Sequence, residues 1–95
     1  MVTHLHVDFK VKDYKQWKKG YDASKKMRRA AGEVAFTIYR DLDDPNTVTV
    51  LSVQKDAEGI KAFMESPDLK KLMEEAGIIQ MGRMYIMEET DRGIF

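Results

Sequence analysis

The 95-residue sequence contains no cysteine. That excludes disulfides, thiolate nucleophiles and cysteine-based zinc or iron–sulfur sites. Charge of one sign is also missing: sixteen basic and sixteen acidic residues cancel. A neutral chain lacks the electrostatic footprint of a nucleic-acid binder, whose affinity comes largely from Lys and Arg on phosphates. The local cluster Lys25, Lys26, Arg28 and Arg29 lies within a predicted helix without interleaved aromatics, and reads as a solvated face. No apolar run approaches the roughly twenty residues that span a bilayer, and the N-terminus lacks the hydrophobic region of a signal peptide. These absences predict a cytoplasmic protein without nucleic-acid or membrane partners. No glycine-rich phosphate loop, Ser-His-Asp order or paired-carboxylate setting stands out either.

What remains is enough chain for one domain, residues 1–95, with a single core. Val2 to Val11 alternates with period two: Leu5, Val7, Phe9 and Val11 point one way, while His4, His6, Asp8 and Lys10 point the other. This predicts a central strand with an apolar face for helices and a second face carrying both histidines. Asp13 can cap a helix from about 13 to 31, with Tyr14, Trp17, Tyr21, Ser24, Arg28 and Ala31 at helical spacing and Gly32 as its stop. Glu33 to Asp41 alternates again, with Val34, Phe36 and Ile38 against Ala35, Thr37 and Tyr39.

Asp43, Asp44, Pro45 and Asn46 form a hairpin connection. Asn46 to Lys55 is β-branched on both faces, the pattern of an interior strand. A second helix starts at Asp56 with Ile60, Phe63 and Met64 at core spacing, and restarts at Ser66-Pro67-Asp68. Leu69, Leu72, Met73 and Ala76 continue the stripe to Gly77. Ile78 to Thr90 is the last strand, with Gln80, Gly82, Met84 and Ile86 facing one way and Ile79, Met81, Arg83, Tyr85 and Met87 the other. In the tail, Ile94 and Phe95 are apolar enough to dock.

The order βαββαβ predicts an α+β, ferredoxin-like subunit: a four-stranded antiparallel sheet with both helices on one face. The other face would carry His4, His6, Asp8, Thr37 and Tyr39, with Met81, Arg83 and Tyr85 from the last strand. Its cover is expected to be a second copy of the chain across a two-fold axis.

The segments VKDYKQWKKGYD, YRDLDDPNTVTVLSVQKD and AFMESPDLKKLMEEAGI resemble the small dimeric α+β-barrel proteins, nearest to the antibiotic-biosynthesis-monooxygenase-like families, over roughly Val2 to Glu89. The resemblance implies two ferredoxin-like sheets closed face to face, helices outside, and a pocket between sheet and helices in each subunit. It implies activities ranging from cofactor-free oxygenation of aromatic polyketides to haem degradation and isomerisation. An Asn near the start of the chain, a Trp, and a His on or near the second helix tend to serve the first two. Here the one Asn is Asn46, both histidines lie on the first strand, and Trp17 alone has the matching type. No catalytic set is carried over, and no cofactor is expected.

Trp17 and Tyr21, with Phe36 and Phe63, are the candidate lining of a pocket for a small aromatic or hydrophobic molecule. The same stripe would equally serve as ordinary core. His4 and His6 would add polar groups from the sheet, histidine being the side chain poised to accept a proton near neutral pH. On a strand, residues i and i+2 lie about 6–7 Å apart on one face, so His4, His6 and Asp8 could alternatively converge on a metal. A dimeric scaffold without ligand or turnover is the remaining reading.

Overall fold

The structure, a computed structural model, describes residues 3–95. Val2, the expected start of the first strand, lies outside them. The elements follow in the order β1 (Thr3–Val11), α1 (Tyr14–Ala23), α2 (Lys25–Ala30), β2 (Glu33–Arg40), β3 (Thr47–Gln54), α3 (Ala57–Met64), α4 (Pro67–Glu75) and β4 (Ile78–Glu88). The four strands form one antiparallel sheet in the order β2-β3-β1-β4. β1 is therefore interior, and so is the doubly apolar β3.

Local chemistry accounts for the boundaries. Asp13 caps α1 by accepting from the Lys15 N–H (3.2 Å), and Asp56 caps α3 by accepting from Gly59 (2.7 Å). Pro67 occupies the first turn of α4, where its missing N–H costs nothing; Ser66 has the extended backbone of a cap but its side chain makes no capping bond. Gly32 and Gly77 end their helices at positive φ, 114° and 79°. In the β2–β3 connection, Asp41 accepts from the N–H groups of Asp43 and Asp44, and Asp44 from the Asn46 N–H and Thr47 hydroxyl.

The core lies between the sheet and the helices, where Phe9, Val11, Trp17, Val48, Val50 and Ala76 are buried together. Leu5, Phe9 and Val11 of β1 face it, as their alternation requires.

Three expectations are corrected by the backbone. The first helix is not continuous from 13 to 31: it breaks at Ser24, whose hydroxyl donates to the Tyr21 carbonyl at 2.6 Å. A serine bonding back to its own helix in this way competes with the backbone and bends it. Val34 is not in the inward row of β2. A register shift between Glu33 and Ala35 turns Val34 out to 64% exposure and leaves Glu33, the partner of Gln54, facing the helices.

In β4, two register shifts opposite β1 cancel the simple alternation. Met81 pairs with Phe9 and Met84 with Val7, so both face the helix side, while Tyr85, Met87 and Gln80 pair with His6, His4 and Lys10 on the other. Ile94 and Phe95 do not dock on the domain and are fully exposed.

Gly82 sits at the first of these shifts. A Cβ there would lie 2.9 Å from the Asp8 carbonyl oxygen and 3.1 Å from the Asp8 Cβ. Gly82→Ala should therefore cost about 1–3 kcal/mol, the range for forced overpacking, read as a lowered urea midpoint. Gly93→Ala, with nothing within 4 Å, should leave the midpoint unchanged.

Candidate functional site

The helix stripe expected from Tyr14, Trp17 and Tyr21 forms a continuous aromatic row. Trp17, 3% exposed, stacks on Tyr21 at 4.9 Å between centroids and meets Phe9 at 5.2 Å and Tyr14 at 5.7 Å. A guanidinium closes each end. Arg40 lies 3.9 Å above the Tyr14 ring, and Arg28 lies 3.6 Å above the Tyr21 ring.

Beside this row is a cavity of about 140 Å³ between β1, β3, β4 and the helices. Its walls are mostly apolar: Phe9 and Trp17 on one side, Phe63, Leu69, Leu72 and Met73 from α3 and α4 across from them. Met81 reaches it because of the β4 register shift. One end is polar, and Tyr21, Ser24, Arg28, Glu33, Ser52 and Gln54 gather there. They meet because Glu33 and Gln54 are cross-strand partners and Arg28 descends onto Glu33 from α2.

Arg28 is the residue the sequence pattern conceals. Grouped by composition with Lys25, Lys26 and Arg29 as a solvated face, it is instead 5% exposed. It pairs with Glu33 through Nη1, donates from Nε to the Ser24 hydroxyl (2.9 Å), and donates from Nη2 to the Tyr21 carbonyl (3.0 Å). The helical stripe does point it inward. Its partner is what the pattern hides, because the bulge that turns Glu33 in leaves no mark in the alternation of β2.

Burial raises the Glu33 carboxyl above the ordinary carboxylate range, with the Arg28 charge and hydrogen bond opposing the rise. Burial likewise raises the Tyr21 phenol, and the Glu33 charge adds to the effect. The Tyr21 hydroxyl is buried and has no hydrogen-bond partner among the described residues. The Arg28 guanidinium lies over the ring face, and its charge and hydrogen bonding oppose the rise of the Tyr21 phenol.

The sequence candidates divide between two sides of the sheet. Trp17, Tyr21 and Phe63 line the cavity. Phe36 packs edge-on against Tyr21 (5.4 Å) from outside it. His4 and His6 lie on the opposite sheet face and do not reach the cavity. There His6 bonds to Asp8 at 2.9 Å, Asp8 accepts from the Thr49 hydroxyl at 2.7 Å, and Tyr85 lies 5.8 Å from the His6 ring. The His4 Nε2 approaches Glu89 at 3.4 Å. The two histidines thus have separate carboxylate neighbours, and among the described residues no three His, Cys, Asp or Glu side chains converge as a metal shell.

No protein-family model and no curated protein matches the chain. Solved structures do. A Bordetella bronchiseptica protein assigned to the antibiotic biosynthesis monooxygenases superposes with a TM-score of 0.76 at 12% identity, covering 94% of this chain and 97% of the other. SnoaB, a cofactor-independent oxygenase from Streptomyces nogalater, gives 0.74 at 13% identity, covering 96% and 94%. The fold is that of the antibiotic biosynthesis monooxygenase-like proteins. A Nitrosomonas europaea protein of the same description gives 0.64 at 16%, covering 90% and 86%. At these identities the likeness is one of fold, and chemistry must be argued from the site. Among the described residues, no helix is long and apolar enough to cross a membrane.

The buried pair has a measurable consequence. Arg28→Met strands the Glu33 charge and should cost about 3–5 kcal/mol in urea unfolding. Arg28→Met combined with Glu33→Leu should recover most of that loss, because replacing both partners of a buried pair by apolar groups is often close to neutral. A double variant as unstable as the single one would show that the pair does not act as a unit.

Proposed function

We propose that this chain binds a small aromatic molecule in the helix-side cavity. The observation that carries the reading is the combination of an aromatic row and aliphatic walls with one polar end, in a space the size of a single ring. An engineered cavity of about 150 Å³ in another protein admits benzene, so 140 Å³ suits one ring. The fold likeness to a cofactor-independent oxygenase agrees with this reading. The chemistry such an enzyme needs from its protein is deprotonation and orientation of an electron-rich substrate, whose own carbanion then reduces dioxygen. In this reading Glu33 serves as proton acceptor and Arg28, with two of its five N–H donors unspent, as hydrogen-bond donor, in place of the histidines.

Trp17 is the sole tryptophan, and it reports on the cavity it lines. Iodobenzene, a single ring carrying a heavy-atom quencher, should quench its fluorescence saturably. Val7→Phe, which fills the cavity from β1, should abolish the saturable component. Linear quenching of equal slope in both proteins would sink the reading.

The chain acts as a homodimer in this proposal, with two bare sheet faces packed together. Leu51, Val53, Tyr39, Tyr85 and Met87 share that face by their pairing, an apolar surface that a lone subunit has no helices to cover. Light scattering should give twice the 11.0 kDa chain mass. Leu51→Lys, opposite His6 near the middle of the face, should shift the protein to monomer; a monomeric wild type would remove the dimer from the proposal.

A further inference from the structure

The chain has no cysteine, which leaves its thioethers as the side chains that take up a hydroperoxide first. The methionines differ in where they stand. Met64 and Met73 line the helix-side cavity and are half-buried. Met84 and Met87 are exposed but form no part of its wall. Met81 combines the two positions: it is 47% exposed and lines the cavity. The β4 register shift beside Gly82 puts it there, as the cross-strand partner of Phe9 on the helix side. Side chains so paired stand about 4.5–5.5 Å apart at their Cβ atoms, and Phe9 in turn meets Trp17 at 5.2 Å. A chemical change at the Met81 sulfur therefore acts at the rim of the cavity, one side chain away from the sole tryptophan.

We infer that Met81 is a modification site through which hydrogen peroxide switches off ligand binding; this rests on the cavity reading proposed above. In the step, the Met81 sulfur attacks one peroxide oxygen, and an S–O bond forms as the O–O bond breaks. The proton of the transferred hydroxyl goes to the departing hydroxide, which leaves as water. Sulfur is oxidised by two electrons and the peroxide reduced by two. The product is a polar sulfoxide in place of a flexible apolar side chain. Turned inward, its oxygen faces an apolar ligand with no hydrogen-bond donor, which is costly. Turned to water, it withdraws the apolar surface that closes that part of the wall. Both orientations weaken binding. The bare sheet faces proposed to pair lie on the other side of β4, so Met81 stays accessible in such a dimer. Met84 is a matched reference, equally exposed at 47% and on the same strand and face, but outside the cavity.

Hydrogen peroxide is titrated into the full chain, with peptide mass spectrometry and iodobenzene quenching of Trp17 read on the same samples. Met81 and Met84 should form sulfoxide at comparable rates, ahead of Met64 and Met73. Iodobenzene affinity should fall about tenfold, the effect of one poorly matched polar contact. The fall should follow the Met81 sulfoxide, and methionine sulfoxide reductase should reverse it. Met81→Leu, which nearly conserves volume, should bind iodobenzene equally before and after peroxide, whereas Met84→Leu should lose affinity as the wild type does. Unchanged affinity in wild type whose Met81 is fully oxidised would overturn the inference. So would an equal loss in Met81→Leu, or oxidation of Met84 while Met81 stays reduced. An untreated wild type without saturable quenching is a separate result, which would remove the cavity reading and this site with it.

Discussion

The buried ion pair between Arg28 and Glu33 is the interaction on which the functional side of this protein depends. It joins α2 to the first residue of β2 and draws in two irregularities that would otherwise be unrelated. The helix break at Ser24 supplies the hydroxyl that accepts from Arg28 Nε. The register shift after Glu33 turns that carboxylate toward the helices. The Tyr21 ring lies beneath the guanidinium and ties it to the end of the aromatic row. Each feature is locally unfavourable or neutral. A helix break forfeits regular backbone bonding, a bulge leaves a residue unpaired, and a buried pair seldom outperforms an apolar one. Their coincidence at one end of one cavity argues that they are kept for what they build.

The sheet imposes the second constraint. Four strands with helices on one side leave the other side to find its own cover. His4, His6 and Asp8 belong to that uncovered side, tied to Thr49 and near Tyr85, so their polarity serves a face and not the cavity. The separation is enforced by β1 itself, whose period of two sends Leu5, Phe9 and Val11 to the core and the histidines away from it. A site using the histidines and a site using Trp17 are for that reason different sites.

Periodicity decides how much of this is legible in the sequence. Wherever the chain is regular, residue spacing identifies the right face: β1, the Trp17–Tyr21 stripe, both glycine stops and the broken second helix are read directly. Wherever one residue is inserted into a strand, the inference inverts. Strict alternation puts Val34 and Met81 each on the side opposite to the one they occupy, because a bulge offsets the residues on one side of it from those on the other and has no strong compositional signature. Gly82 is the available hint, since a glycine inside a strand marks close backbone approach. Arg28 escapes for a different reason. A charge at a core-facing helical position reads as an error of pattern until its counter-charge is known, and Glu33 sits at a strand start, where alternation has no earlier residue to be judged against.

The cavity itself bears on function through its energetics. A void of 140 Å³ would cost up to roughly 3 kcal/mol at the rate measured for fully enclosed cavities, less here because the space is partly open, and a buried hydroxyl without a partner adds about 1–3 kcal/mol. Both are large against the stability of a domain of this size. Neither is hard to remove by substitution: Phe at position 21 deletes the hydroxyl, and a larger side chain at Val7 or Ala76 fills the space. An aromatic chamber left unfilled beside a neutralised ion pair argues for a ligand that fills it.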